Sequence, residues 1–143
     1  SSGFSQILAA TGSTSSLVDW VTELDLSPIL MVVIMQLMVL VLGCFIDTIS
    51  IMMISIPVFM PLVLALGLDP IWFCILILVQ LELAGITPPF GVLLFVMKGV
   101  QPHLKLGRIY AAALPIVGIQ LILIATLMLF PQIVTILPNL AGR

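Results

Sequence analysis

Four long runs without a charged residue divide the sequence, at positions 26–46, 48–68, 83–97 and 109–142. A helix that crosses a bilayer needs about 20 apolar residues, so runs of this kind indicate membrane helices. Charged residues bound these runs, at Asp47, at Asp69 and Glu82, and in the stretch 98–108. The pattern therefore predicts a chain of apolar helices joined by short polar connections.

The connections in the first half place its helices. Pro28 suits the first turn of a helix, which predicts a helix from that residue to about Leu42. The stretch GCFIDT, residues 43–48, separates it from a second helix that is expected to end near Leu66. Ahead of both, the pattern predicts the end of a helix at residues 4–10, a polar loop at 11–16 and a short amphipathic stretch at 17–26.

The second half contains a turn, a broken helix and a last helix. In GLDP, residues 67–70, glycine ends one helix and proline begins the next. The helix from Pro70 is interrupted by AGITPPFG, residues 84–91, and resumes to about Lys98. After a polar loop, a last helix is expected at residues 109–130, followed by a fraying tail.

Composition identifies the chain as an integral membrane protein. Of its 143 residues, 62% are apolar and 7% are charged, and the mean hydropathy is +1.41. A soluble domain carries about a quarter charged residues. The chain also lacks a starting methionine and opens in an apolar segment, so we expect it to be a piece of a longer protein.

The charged residues are segregated and predict an orientation. Basic residues cluster in the loop 98–108, whereas the acidic residues of the other loops are Asp19, Glu23, Asp25 and Asp69. Because basic loops stay inside, residues 98–108 are expected to face the cytoplasm and the acidic loops the outside. Trp20 and Trp72 beside the acidic loops, and Tyr110 beside the basic one, are expected as interfacial anchors.

Residues 28–66 leave the outer side and return to it, as two full spans or as one re-entrant hairpin. About 15 residues at 1.5 Å each give a first helix of roughly 22 Å. The hydrocarbon core is about 30 Å thick, so the tip would stop inside the membrane. Extending the helix to Ile46 would allow it to span. Asp47 at the tip favours the hairpin.

The stretch AGITPPFG is the principal candidate site. Its residues with special backbone properties are Gly85, Thr87, Pro88, Pro89 and Gly91. Such crowding favours a true break over a proline kink, and a break at membrane depth must be buried in protein or line an aqueous cavity. A helix ending near Ala84 would turn its last carbonyl oxygens toward a cation such as Na⁺. A second helix starting at Pro88, with Thr87 as its N-cap, would present N–H groups to an anion.

Three further residues are candidates for the same chemistry. Gly43 allows a close approach of the chain. Asp47 can ligate a cation or cap the helix that starts at Thr48, and both roles remain open. Glu82 is costly to leave in lipid, so it should face protein or water, bonding a broken helix end or relaying a proton.

Two segments resemble the large membrane subunit of tripartite ATP-independent periplasmic (TRAP) transporters, the DctM-like family. They read GCFIDTISIMMISIPVFMPLVLALGLDPIWF and ELAGITPPFGVLLFVMKGV. The elements G-x-x-x-D, P-x-x-x-P, L-G-x-D-P-x-x-F and G-x-T-P-P-x-G follow the family's order and spacing. The resemblance covers about residues 3–137.

The resemblance implies an all-α elevator-type fold of the ion-transporter superfamily, built from two inverted repeats. This chain would be the second repeat. Residues 1–27 would hold the end of a transmembrane helix, an outer loop and an amphipathic segment, and residues 28–68 a re-entrant hairpin. Residues 69–100 would form a discontinuous transmembrane helix. Residues 101–143 would form a cytoplasmic loop and the last transmembrane helix.

The resemblance also implies a function in the bacterial inner membrane. It implies sodium-driven import of an organic acid, a C4-dicarboxylate or a sialic-acid-like carboxylate, delivered by a DctP-like periplasmic binding protein beside a small DctQ-like membrane subunit. The family's Na⁺ site maps onto Gly43, Gly85 and Thr87, with backbone oxygens near Phe90. The residues expected to contact the substrate or to support the site are Asp47, Glu82, Pro88, Pro89 and Gly91.

The sequence also leaves two other functions open. A proton-coupled carrier would use Glu82 or Asp47, and the isolated segment could also be a membrane scaffold that does not transport. An intramembrane aspartyl protease would need a second aspartate within a span, which the sequence lacks. Cys44 and Cys74 have no metal-binding spacing. We expect no enzyme activity, no cofactor beyond Na⁺ as the coupling ion, and no nucleic-acid partner.

Overall fold

The computed structural model describes residue 3, residues 12–87 and residues 91–141. This part of the chain is 82% helical and contains no strand. The all-α prediction is therefore confirmed for the described residues. The helix end predicted at residues 4–10 lies outside them.

Seven helices make up the described part of the chain. They are α1 Ser13–Glu23, α2 Pro28–Gly43, α3 Thr48–Ala65, α4 Pro70–Ile86, α5 Val92–Val100, α6 Leu106–Leu129 and α7 Gln132–Ala141. The starts of α2, α3 and α4 fall where the sequence predicts them. By length and composition, α3 and α6 can cross a membrane, whereas α2 and α4 are shorter apolar helices.

The sequence prediction is wrong at α1 and at α7. Most of the loop predicted at residues 11–16 belongs to α1, because the hydroxyl groups of Ser15 and Ser16 donate to the carbonyl of Gly12 at 2.7 and 3.1 Å. The expected fraying tail contains α7. There the carbonyl of Pro131 accepts hydrogen bonds from the N–H groups of Val134 and Thr135 and so starts a new helix.

The turn between α3 and α4 forms as predicted. Gly67 has a φ of +69°, the left-handed conformation that glycine adopts without strain. The N–H of Leu68 donates to the carbonyl of Val63 at 3.0 Å, which closes the end of α3. The carboxylate of Asp69 then accepts from the N–H of Ile71 at 2.8 Å and caps α4.

Helix α4 is the central element of the main core. Its residues Phe73, Leu76 and Ile77 are fully buried, and α2, α3, α6 and α7 all pack against it. The ring of Phe73 meets the ring of Phe59 edge to face, with 6.3 Å between the centroids. A second, smaller cluster joins α5 to α6 through Leu94, Ile109 and Ala113. The broken-helix region thus rests on two separate cores.

Trp72 is a core residue, which corrects its prediction as an interfacial anchor. Its side chain is 4% exposed, whereas that of Trp20 is 61% exposed. The indole N–H of Trp72 donates to the carbonyl of Leu127 at 2.7 Å. Leu127 lies in the last turn of α6, where carbonyl groups lack partners within the helix. This bond draws the tryptophan inward and joins the start of α4 to the end of α6.

Replacing Trp72 with phenylalanine is expected to destabilise the protein by about 1–3 kcal/mol, because the buried carbonyl of Leu127 loses its donor. Thermal unfolding of the full-length protein in detergent measures the effect. Trp20→Phe is the matched control and should change stability by less than about 0.5 kcal/mol. Equal effects of the two substitutions would contradict the role of the bond.

Candidate functional site

The tip between α2 and α3 is a tight turn that ends in a helix cap. The N–H groups of Phe45 and Ile46 donate to the carbonyl of Leu42 at 3.0 and 2.9 Å. The carboxylate of Asp47 then accepts from the N–H of Ser50 at 2.9 Å and caps α3. Of the two roles left open for Asp47, capping is confirmed.

Gly43 brings this tip into direct contact with α4. It is buried, and a Cβ atom built on it would overlap the Cβ of Ala84. It would also lie 3.7 Å from the side chain of Ile51 in α3. Only a residue without a side chain fits between these two helices. The tip therefore packs against the last turn of α4, directly before the helix interruption.

Helix α4 ends at Ile86, and Thr87 forms its carboxyl-terminal cap. The hydroxyl of Thr87 donates to the carbonyl of Leu83 at 2.6 Å, and its N–H faces the carbonyl of Ala84 at 3.3 Å. Thr87 thus bonds back to the helix that it follows. Pro88, Pro89 and Phe90 lie outside the described residues.

The second half-helix, α5, begins at Val92 with Gly91 as its N-cap residue. The prediction that it starts at Pro88 behind Thr87 is therefore wrong. Thr87 does not serve as that cap because its hydroxyl is engaged with Leu83. The interruption is real, and α5 starts four residues later than predicted.

Gly91 lies against the backbone at the end of α4. A Cβ atom on it would be 2.8 Å from the carbonyl oxygen of Gly85 and 3.0 Å from that of Thr87. The N–H of Gly91 donates to the same Thr87 carbonyl at 3.0 Å. The carbonyl oxygens of Gly85 and Thr87 therefore converge on one glycine, which explains why this position lacks a side chain.

A cleft of about 280 Å³ lies where the tip meets the broken helix. It brings together four of the predicted site residues, Gly43, Asp47, Glu82 and Gly85. Val92 and Leu93 of α5 form part of its wall, so both halves of the broken helix contribute. Thr87 is not among its lining residues.

The charge around the cleft is negative. Asp47 and Glu82 both reach it, and the sequence contains no basic residue before Lys98. The carboxyl end of α4 adds partial negative charge, whereas the amino ends of α3 and α5, at Thr48 and Val92, add partial positive charge. Three or more His, Cys, Asp or Glu side chains do not gather anywhere in the described ranges. A cation bound here would therefore rely on backbone and hydroxyl oxygens together with these carboxylates.

Sequence reasoning missed the partner of Gly43. Ala84 carries no chemical group that marks a site, yet its small size lets the tip approach. The available signal was the pair of small residues Ala84 and Gly85 directly before the break. Small residues at helix contacts allow backbones to come close in membrane proteins.

This architecture defines an all-helical membrane protein whose candidate site lies where a short helix is interrupted. The family model described as "Tripartite ATP-independent periplasmic transporter, DctM component" matches residues 1–133. The chain belongs to this family.

Two curated relatives illustrate the similarity. The chain is 35% identical over 139 residues to the C4-dicarboxylate TRAP transporter large permease protein DctM of Pseudomonas aeruginosa, which is 97% of the chain and 32% of that protein. It is 27% identical over 137 residues to the sialic acid TRAP transporter large permease protein SiaM of Vibrio cholerae, which is 96% of the chain and 32% of that protein. The chain therefore spans about a third of their length. Both relatives are named as permeases rather than enzymes.

Proposed function

We propose that this chain is the part of a TRAP transporter permease that binds Na⁺ during import of an organic acid. The observation that carries the proposal is the junction of Gly43 with the broken helix, where a cleft collects carboxylates beside a helix end. Broken helices in secondary transporters present such ends to ions and substrates. A C4-dicarboxylate or a sialic-acid-like carboxylate is the proposed substrate class, from the names of the relatives.

The proposed Na⁺ ligands are backbone oxygens at Gly43, Gly85 and Thr87, with Phe90 beyond the described residues. The convergence of the Gly85 and Thr87 carbonyl groups beside Gly91 supports this set. Asp47 and Glu82 would set the negative potential of the cleft, and Asp47 would also hold the tip through its cap on α3. Pro88 and Pro89 are proposed as support for the break.

The proposed partners follow from the family. A DctQ-like small membrane subunit and a DctP-like periplasmic binding protein would complete the system in the bacterial inner membrane. The hairpin of α2 and α3 would be re-entrant, and an elevator movement would carry the cleft across the membrane. The length of α2 supports the hairpin, since 16 residues at 1.5 Å each give about 24 Å, less than the roughly 30 Å of the hydrocarbon core.

Transport by the full-length permease tests this proposal. The permease is reconstituted in liposomes with its small subunit and binding protein, and entry of a labelled C4-dicarboxylate and a labelled sialic acid is followed. An imposed Na⁺ gradient is expected to drive uptake of one of them. Uptake driven by a pH gradient in sodium-free buffer would replace the proposal with the proton-coupled alternative, in which Glu82 or Asp47 carries the proton.

Replacing Thr87 with alanine is expected to weaken the apparent affinity for Na⁺ by about fivefold, because the cap loses a hydrogen bond of about 1 kcal/mol. The sodium dependence of uptake measures it. Thr126→Ala is the matched control, since the hydroxyl of Thr126 donates to the carbonyl of Ile122 at 2.7 Å in α6, away from the cleft. An unchanged sodium dependence in Thr87→Ala would remove Thr87 from the site.

A further inference from the structure

An apolar groove and a basic depression adjoin each other at the loop end of α6. The groove, about 300 Å³, runs between α5 and α6 and includes Leu93, Met97, Ala112 and Ile116 in its lining. The depression, about 360 Å³, is lined by His103, Leu104, Lys105 and Arg108. Leu104 and Arg108 line both. The two spaces therefore form one continuous surface, apolar along its length and basic at its end.

The basic end of this surface lacks acidic neighbours in the sequence. No acidic residue follows Glu82, while Lys105 and Arg108 are both exposed. Lys98 is engaged elsewhere, because its ammonium group donates to the carbonyl groups of Pro102 and Leu104 at 2.8 and 2.6 Å. Those two bonds fold the loop and hold Leu104 at the boundary of the groove. The positive charge at the depression thus comes from Lys105 and Arg108.

We propose that this surface binds an anionic phospholipid, with its phosphate at Lys105 and Arg108 and one acyl chain in the groove. Arginine and lysine suit a phosphate group, since arginine can bond two of its oxygens at once. The groove distinguishes a lipid from a soluble anion, because an acyl chain gains free energy from every methylene that it buries there. Basic residues on the cytoplasmic side of membrane helices attract anionic lipids in the same way.

The position of the surface gives the bound lipid a structural role. The groove lies beside the small cluster of Leu94, Ile109 and Ala113 that joins α5 to α6. An acyl chain in the groove would enlarge this contact, so lipid occupancy would hold the second half of the broken helix against α6. This role requires neither Na⁺ nor the transported acid.

Native mass spectrometry of the full-length permease tests the proposal, with phosphatidylglycerol and phosphatidylethanolamine added in equal amounts. Phosphatidylglycerol is expected to bind preferentially. Arg108→Gln should lower its binding about fivefold, the effect of one basic residue at a membrane surface. Arg108→Lys keeps the positive charge at the same position and should retain most of the binding. Equal binding of the two lipids, or equal effects of the two substitutions, would overturn the proposal.

A second pair of variants tests the groove independently of charge. Ala112→Trp fills the groove, whereas Ala111→Trp places the same side chain on a neighbouring exposed position that does not line it. Only Ala112→Trp is expected to reduce phosphatidylglycerol binding, by at least about threefold if several methylenes lose their contacts. Displacement of the lipid by millimolar inorganic phosphate, with no effect of Ala112→Trp, would instead identify a soluble-anion site and overturn the assignment to a lipid.

Discussion

Replacing Gly43 with alanine is expected to separate the hairpin tip from the broken helix and to reduce uptake by at least about tenfold. The added Cβ would overlap the Cβ of Ala84 in α4, and it would also lie against the side chain of Ile51 in α3. Overpacking of this kind costs about 1–3 kcal/mol. A tenfold loss corresponds to about 1.4 kcal/mol, which lies within that range. Sodium-driven uptake by the reconstituted permease, together with its thermal unfolding, measures the effect.

A second substitution makes this prediction specific. Ala84→Gly removes the methyl group that the new Cβ would meet, so the double variant Gly43→Ala, Ala84→Gly should recover most of the lost uptake. Ala84→Gly alone should cost about 1 kcal/mol through the lower helix propensity of glycine. A double variant no better than Gly43→Ala would show that the direct contact with Ala84 is not what position 43 requires.

Replacing Gly91 with alanine is expected to lower the apparent Na⁺ affinity by at least about tenfold. The new Cβ would press on the carbonyl oxygens of Gly85 and Thr87 at 2.8 and 3.0 Å, and backbone atoms cannot move aside as the end of a flexible side chain can. Those oxygens belong to the proposed Na⁺ ligand set. A displacement of about 1 Å at such a site can reduce activity about a hundredfold.

Gly99→Ala is the matched control for Gly91→Ala. Gly99 lies in the same helix, α5, and a Cβ on it would meet no atom within 4 Å. The control should therefore transport normally, with a slightly more stable helix. If Gly91→Ala keeps the wild-type sodium dependence, the convergent carbonyl groups are not sodium ligands.

Local chemistry explains why the helix starts were predictable. Pro28 and Pro70 suit the first turn of a helix, and the side chains of Asp47 and Asp69 accept hydrogen bonds from N–H groups two or three residues later. These preferences act over three or four residues and need no tertiary contact. The interruption of α4 was predictable for the same reason, since Gly85 and Thr87 precede two prolines.

Long-range contacts explain what the sequence did not reveal. Trp72 is buried because a carbonyl from α6, 55 positions away, accepts its N–H. Ala84 matters because the hairpin tip packs against it. The hydroxyl of Thr87 could cap α5 or bond back to α4. Because it donates to the carbonyl of Leu83 in α4, it does not cap α5, which starts later than predicted. None of these partners can be identified from residues adjacent in sequence.

The cleft between tip and break has a consequence for the order of binding events. Asp47 and Glu82 line it, and the described residues of its lining include no base, so an organic anion that enters alone meets like charge and is disfavoured. A bound Na⁺ would offset part of that repulsion. If the proposed function holds, the cation binds first and raises the affinity for the acid, and by thermodynamic reciprocity the acid retains the cation. Two carboxylates lining one cleft would thus make the binding of each solute favour the binding of the other.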